Sequence, residues 1–411
     1  MSANGCRQAS TVRFRTEPTP LSRRWTSKVS SPPCASNSKH WATSKTNDRR
    51  PRHRNDLEGR EAVFASDSGD LAMTKLPDLS RLTEAAEEEI SRGLLACQWA
   101  LARNGKLIGT QTLGPVQPET RFWIASATKP MVASAIWILM DEHGLELDHP
   151  VAEYLPEFAE NGKGRVTLEQ VMVMTAGFPN ASMAPADGGD PERRRKRMAS
   201  WTLEWDPGTR YVYHGASAHW VLAELIERVS QRPFCDFIEQ RITAPLGLPR
   251  ALGIPRAEQT DVAQMSEAAD PQTRSEFDYA TKIEIGEPGG GAIMTAPDLA
   301  HFYQGLLNNP AQQWEPSVLA DGTGHIRCRL LEESLQMPAN RTTGVVVGAG
   351  FGSAWGDSES AFGWTGVGGQ IAFGDPTSGI SFAFLQMGDH DPTRAFMRGA
   401  RLSRRALRLA L

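Results

Sequence analysis

The sequence predicts an α+β fold: an antiparallel sheet built from both ends of the chain, flanked by helices, with a mainly helical lobe between them. Three observations carry this. Strand-like runs occur at residues 97–113 and again from about residue 343 onward. The stretch between about 166 and 310 reads mainly as helix, with the lobe itself placed at about 166–284. A strongly apolar helix opens near residue 126, between the first strands and that stretch.

Residues 1–75 are rich in Ser, Thr, Arg, Pro and Asn and poor in aliphatics. Such a segment buries too little surface to offset chain entropy, so a disordered basic tail is expected. A start at Met73, an organelle transit segment and a nucleic-acid arm are three readings of it. The folded domain is expected over 76–411. "DLSRLTEAAEEEISRGLL" has helical spacing, with Asp78 or Ser80 as cap. "CQWALARNGKLIGTQTLG" reads as two strands around an Asn104-Gly105 turn. The apolar helix then runs to Gly144. In "SAHWVLAELIERVSQ", Val221, Leu222, Leu225, Ile226 and Val229 share one helical face. "TGVVVGAG", "GQIAFGD" and "GISFAFLQMG" read as strands, with a turn at Asp375-Pro376. The closing "DPTRAFMRGARLSRRALRLAL" reads as a basic amphipathic helix packed on the sheet.

Composition narrows the function classes. The chain has 411 residues and a formal net charge of −4, which gives no sign of nucleic acid as a general partner. Its five cysteines, at 6, 34, 97, 235 and 328, form neither CxxC pairs nor a metal spacing. That pattern suits a reducing compartment without a disulfide framework. The nine histidines include no HExxH, so no metal site is expected. No segment is long and apolar enough to span a membrane, and no secretory signal is visible. A cytoplasmic protein without cofactors is the expectation, and the sequence is silent on its oligomeric state.

The chemistry starts at "FWIASATKP", where Ser126 and Lys129 stand three apart at the head of the apolar helix. The spacing puts both side chains on one face. The serine sits at the positive helix end, where developing negative charge is favoured. A lysine entering an apolar helix is costly when charged, which makes it a credible partner for a serine nucleophile. Alone, the pair also fits a helix cap followed by a snorkelling lysine. A second pair, Ser36 and Lys39, has no apolar helix behind it and reads as chance.

Further segments fall in order. "FWIASATKP", "LDHPVAEYLPEF", "VTLEQVMVMTAGF", "WDPGTRYVYHGASAHWVLAELIERVS", "GGGAIMTAPDLAHFYQGLL" and "FGWTGVGGQIAFGDPTSGISFAF" together resemble the serine β-lactamase and penicillin-binding-protein superfamily, in its class C and family VIII carboxylesterase branch. The resemblance covers about 90–400. It implies a β-lactamase/transpeptidase-like fold and an acyl-enzyme mechanism. By resemblance Ser126 is the nucleophile, and Lys129 takes or relays its proton. Tyr213 holds the position of the second-motif tyrosine, with Tyr211 as competitor. The backbone N–H groups of Ser126 and Val367 form the oxyanion hole, and Trp364, Thr365, Gly366 and His214 bind substrate.

Three departures from the family pattern follow. Gly215 stands where the second motif has asparagine, leaving His214, Ser217 or His219 to take over its hydrogen bonding. Met174 and Ala176 interrupt the usual His-Thr-Ser-Gly. Trp364 replaces the cation of the third motif. A cation there would pair with a substrate carboxylate, whereas tryptophan offers apolar area. The expectation is therefore a carboxylesterase acting on a neutral small-molecule ester. A β-lactamase or D-alanyl-D-alanine peptidase, an acyltransferase, and a non-catalytic binding protein on the same fold are the alternatives. "ERRRKR", residues 192–197, reads as a solvated helix face. "GEPGGGA" lacks a P-loop lysine and reads as a loop entering a late helix.

Overall fold

The computed structural model describes residues 78–263, 279–356, 358–389 and 391–409. The expectations for the tail, including Cys6, Cys34 and the Ser36/Lys39 pair, lie outside them.

The main sheet has six strands in the order β2-β1-β11-β10-β9-β8. They are β1 (Ala96–Arg103), β2 (Lys106–Leu113), β8 (Val346–Val347), β9 (Phe362–Gly366), β10 (Gln370–Asp375) and β11 (Ile380–Met387). All neighbours pair antiparallel. The hairpin β1–β2 turns at Asn104 and Gly105, both left-handed at φ 51° and 75°. Two successive positive φ values are what a type I′ turn needs, and Asn-Gly supplies them cheaply. The other edge of β1 pairs with β11, with Ala100 opposite Ala383. Sequence-distant strands thus become neighbours, as expected from strands at both chain ends.

Successive side chains of these strands enter two separate cores. Trp99, Leu101, Ile371, Phe373, Phe382 and Phe384 pack under α1 (Ser80–Ser91) and the last helix. Ala100, Ala372, Ala383 and Leu385 face the larger core shared with the other helices. Both faces are covered, which explains why "GISFAFLQMG" is mostly apolar and why β11 within it is buried along its whole length.

In chain order the other helices that matter here are α2 (Lys129–His143), α3 (Pro191–Ser200), α4 (Ser217–Ser230), α5 (Ala296–Asn308) and α6 (Pro392–Arg408). α2 ends at Gly144, left-handed at φ 67°, as its sequence suggests. The cap of α1 is Leu79 rather than Asp78 or Ser80, although the Asp78 carboxylate accepts the Ser80 N–H at 3.0 Å. The basic helix α6 packs on the sheet and against α1. Its Arg398 is buried between Glu89 and Asp389.

Two regions depart from the sequence reading. Three short strands, β3 (Arg121–Trp123), β4 (Val262–Ala263) and β5 (Ile293–Met294), form a small sheet that leads into the apolar helix, and β6 (Leu331–Glu332) and β7 (Met337–Pro338) pair as a separate hairpin. The run "ERRRKR" lies on α3 and is not wholly a solvated face. Arg194 is buried and joins Glu224 at 2.9 Å and also Glu227. Among the described residues no helix is long and apolar enough to cross a membrane.

Candidate active site

The site is assembled around a strained turn. β3 ends at Trp123, and residues Ala125–Thr128 form a 3₁₀ turn before α2 begins at Lys129. Ser126 is therefore on the turn ahead of the α-helix, not inside it. Ala125 is left-handed at φ 48°, which is costly for a residue with a Cβ. Surrounding contacts hold it there. Thr128 Oγ1 donates to the Ala125 carbonyl at 2.7 Å and accepts the Ala292 N–H at 3.1 Å. The Trp123 indole donates to the Gly290 carbonyl. The glycine-rich loop before β5 thus clamps the turn.

Lys129 is fully buried. Its Nζ donates to Ser126 Oγ at 3.0 Å and to the Gly289 carbonyl at 2.6 Å. The same Nζ lies 5.1 Å from the centre of the Tyr213 ring. Tyr213 is half-buried. Burial pushes its phenol up, but the Lys129 charge, hydrogen bonds with Ser126 and Lys129, and the Arg341 charge together hold it below the usual phenol value. Tyr211 is placed elsewhere. Its hydroxyl accepts from Arg341 Nε at 3.0 Å, and burial raises its phenol. The structure thus brings Ser126, Lys129 and Tyr213 together and leaves Tyr211 outside the cluster.

His214 does not reach the cavity. Its Nδ1 lies 2.6 Å from the Val212 carbonyl and its Nε2 accepts the Phe178 N–H at 3.2 Å, so both ring nitrogens are used by backbone. Burial lowers it to about 4 and keeps it neutral. Ser217 Oγ donates to the Phe178 carbonyl. His219 is buried and pushed well below its ordinary value, first by burial. None of the three hydrogen-bonds Lys129 Nζ in place of the missing asparagine; the Gly289 carbonyl does. The loop can come this close because both chains are bare. A Cβ at 289 would sit 2.9 Å from the Gly215 carbonyl.

The strand carrying the third motif, β9, forms the opposite wall. Trp364 is 4% exposed and packs 6.4 Å, centre to centre, from Tyr213. Thr365 Oγ1 donates to the Gly352 carbonyl at 2.9 Å. A Cβ at Gly366 would meet the Ile124 carbonyl at 2.4 Å, so this glycine is required by the approach of the turn that carries Ser126. Gly369, at φ 81°, has no room for a Cβ because Gln386 and the first turn of α6 fill it. Gly366 and Gly369 also line the cavity beside Ser126, so they serve the protein's own packing without being withdrawn from it. Val367 is 61% exposed at the rim.

Ser126, Tyr213, Trp364, Thr365, Gly366 and Val367 line one cavity of about 640 Å³. The sequence reading missed its other walls: Arg341, Leu335, Phe351 and Phe396. Among the described residues, the group of donors close enough for a metal is Glu146, Asp148 and His149. It lies outside that lining, and His149 is already paired with Glu146 and Glu153.

A serine in contact with a buried lysine, beside a tyrosine and a mostly apolar pocket on this sheet-and-helix frame, defines a serine hydrolase of the β-lactamase/transpeptidase-like fold. The chain belongs to the beta-lactamase family, whose family model matches residues 79–406. It is 26% identical over 379 residues to esterase EstB of Burkholderia gladioli, covering 79% of this chain and 92% of that protein. A penicillin-binding protein homologue from Caulobacter crescentus superposes with a TM-score of 0.68 at 25% identity, covering 82% of this chain and 99% of that one. A family VIII carboxylesterase structure shares the fold, with a TM-score of 0.68 at 22% identity, covering 79% and 97%.

Proposed function

We propose that this serine hydrolase is a carboxylesterase acting on neutral short-chain esters. The observation that carries the reading is the 3.0 Å contact of Lys129 Nζ with Ser126 Oγ, with Tyr213 alongside. Ser126 Oγ attacks the ester carbonyl while its proton passes to the oxygen of Tyr213 in its phenolate form. Lys129 holds the charge balance between the two oxygens. The tetrahedral oxyanion lies against the N–H groups of Ser126 and Val367. Collapse breaks the carbonyl–alkoxy bond, and Tyr213 returns the proton to the departing alcohol. Water gives a proton to the Tyr213 oxygen and attacks the acyl carbonyl; the Ser126 Oγ–acyl bond breaks, Tyr213 returns the proton to Oγ, and the acid is released.

Apolar walls support a neutral substrate. The charged side chain in the cavity lining, Arg341, is 2% exposed and stacked on Trp364. An unpaired substrate carboxylate against the Trp364 indole would be costly. The name of the EstB relative agrees with this choice. The test compares kcat/KM for p-nitrophenyl butyrate and nitrocefin. The ester should be strongly preferred. A preference for nitrocefin would replace the esterase reading with the β-lactamase one. Labelling by a fluorophosphonate probe should map to Ser126.

A further inference from the structure

Arg341 is a buried cation that the reaction above does not use. It is 2% exposed, yet its side-chain partners among the described residues are the Tyr211 hydroxyl and aromatic rings, with no carboxylate. Nε donates to the Tyr211 hydroxyl, and Nη1 has no hydrogen-bond partner among the described residues. The guanidinium carbon lies 4.1 Å from the centre of the Trp364 ring and 5.8 Å from that of Tyr213. Cation–π contact offsets only a small part of what burying a full charge costs. Structural arginines elsewhere in this molecule are buried with carboxylates, so the bare charge calls for a different account.

The position is fixed from outside the cavity. The Arg341 N–H donates to the Cys328 carbonyl at 3.0 Å, and its own carbonyl accepts from Arg327 and Cys328. The next residues form a tight turn clamped on α2: Trp137 Nε1 donates to Thr343 Oγ1 at 3.0 Å, and a Cβ at Gly344 would sit 2.4 Å from the Trp137 ring. The helix that carries Lys129 therefore also sets the height of Arg341.

We propose that Arg341 is a positioning residue for acyl transfer: its uncompensated guanidinium, held between Trp364 and Tyr211, supplies the positive field that favours the proton-accepting form of Tyr213. The proposal rests on the reading of Tyr213 as proton carrier. The groups facing Tyr213 are Ser126 from the turn, Lys129 from α2, Arg341 from the clamped turn, and Tyr211 and His214 from its own segment; His219 of α4 stands behind Lys129. Among these His214 and His219 are held neutral by burial. Two cations therefore act on Tyr213, and Lys129 is the one in contact. In the step itself the Ser126 Oγ–H bond breaks, the proton goes to the Tyr213 oxygen, and Oγ bonds the carbonyl carbon. Arg341 exchanges no proton.

The test is the pH profile of kcat/KM for p-nitrophenyl butyrate. Arg341→Met should move the acid limb towards alkaline pH by about two units, a scale set by one charge about 6 Å away at an effective dielectric near 20. Arg341→Lys should restore much of the limb. Added to Tyr213→Phe, Arg341→Met should lose almost nothing more, because it acts through the phenol. The Tm of Arg341→Met should be at or above that of wild type, since a bare buried charge has been removed. An unmoved acid limb together with a lower Tm would make Arg341 merely structural and overturn the proposal, leaving the esterase reading intact. If Tyr213→Phe itself retained wild-type turnover, the underlying reading would fall instead.

Discussion

Two regions of this protein bury cations, and they do so differently. In the helical lobe, Arg194 on α3 meets Glu224 and Glu227. Between α1 and α6, Arg398 meets Glu89 and Asp389. In the cavity, Lys129 and Arg341 are buried to the same degree, yet neither forms an ion pair among the described residues. A paired buried cation holds two elements in register. Once one partner is removed, the other is stranded at a cost of about 3–5 kcal/mol. An unpaired buried cation contributes no such clasp. It places a field where protons must move, at the expense of stability.

The sharpest test of the division removes the proposed nucleophile. Ser126→Ala should lower kcat/KM for a p-nitrophenyl ester by more than about 10³-fold and leave Tm unchanged. Near wild-type turnover in that variant, with activity lost instead in Ser36→Ala, would place the nucleophile elsewhere.

The cations come next. Arg194→Met should destabilise the protein by about 3–5 kcal/mol, because Glu224 and Glu227 lose their buried partner. Turnover per folded molecule should stay close to wild type. Lys129→Met should do the reverse: activity lost, Tm level or higher. Chemical denaturation and active-site-normalised kinetics distinguish the two. Matching signs in both variants would end the distinction between clasp and field.

Much of the site was legible because it is local. Ser126 and Lys129 are three residues apart, and a single turn running from the 3₁₀ segment into α2 brings them together. The Asn104-Gly105 hairpin needs only its own two residues. Gly289 and Arg341 were illegible for the opposite reason. Gly289 acts through a backbone carbonyl 160 residues from Lys129, and a carbonyl has no sequence signature. Arg341 becomes important only when folding sets it beside Tyr213 without a carboxylate. Arg194 was misread as solvated because its burial depends on glutamates some thirty residues away. Short strands such as β3 are too brief to show periodicity. They exist because their neighbours pair with them.

Lys163 is an intermediate case. It is fully buried, and its Nζ donates to the carbonyls of Glu160, Ala199 and Trp201. Burial lowers it to about 8 from an ordinary 10.5, against an opposing pull from Glu160. Between those values the unfolded chain holds the proton and the folded chain does not, so this residue's contribution to stability rises with pH across that window. Lys163→Met should lack the rise. Stability differences between wild type and variant, measured from pH 7 to 10.5, should therefore shift in favour of wild type as pH increases. A flat difference would mean that the three carbonyls hold the ammonium charged throughout.

The smallest effect is expected where geometry looks best and burial is least. Arg210 and Glu333 form a two-pronged pair at 2.7 and 2.6 Å, tying the segment before Tyr213 to the hairpin at Leu331–Pro338. Their side chains are 45% and 54% exposed. Water and salt screen such a pair, and ordering two long side chains consumes much of its attraction. Arg210→Ala should shift Tm by no more than about 2 °C and leave kcat/KM unchanged, with even less effect at high salt. The pair lies close to the catalytic segment, so proximity and burial make opposite forecasts here. A large loss of stability or turnover in Arg210→Ala would show that position near the site, rather than removal from water, decides what a cation does in this protein.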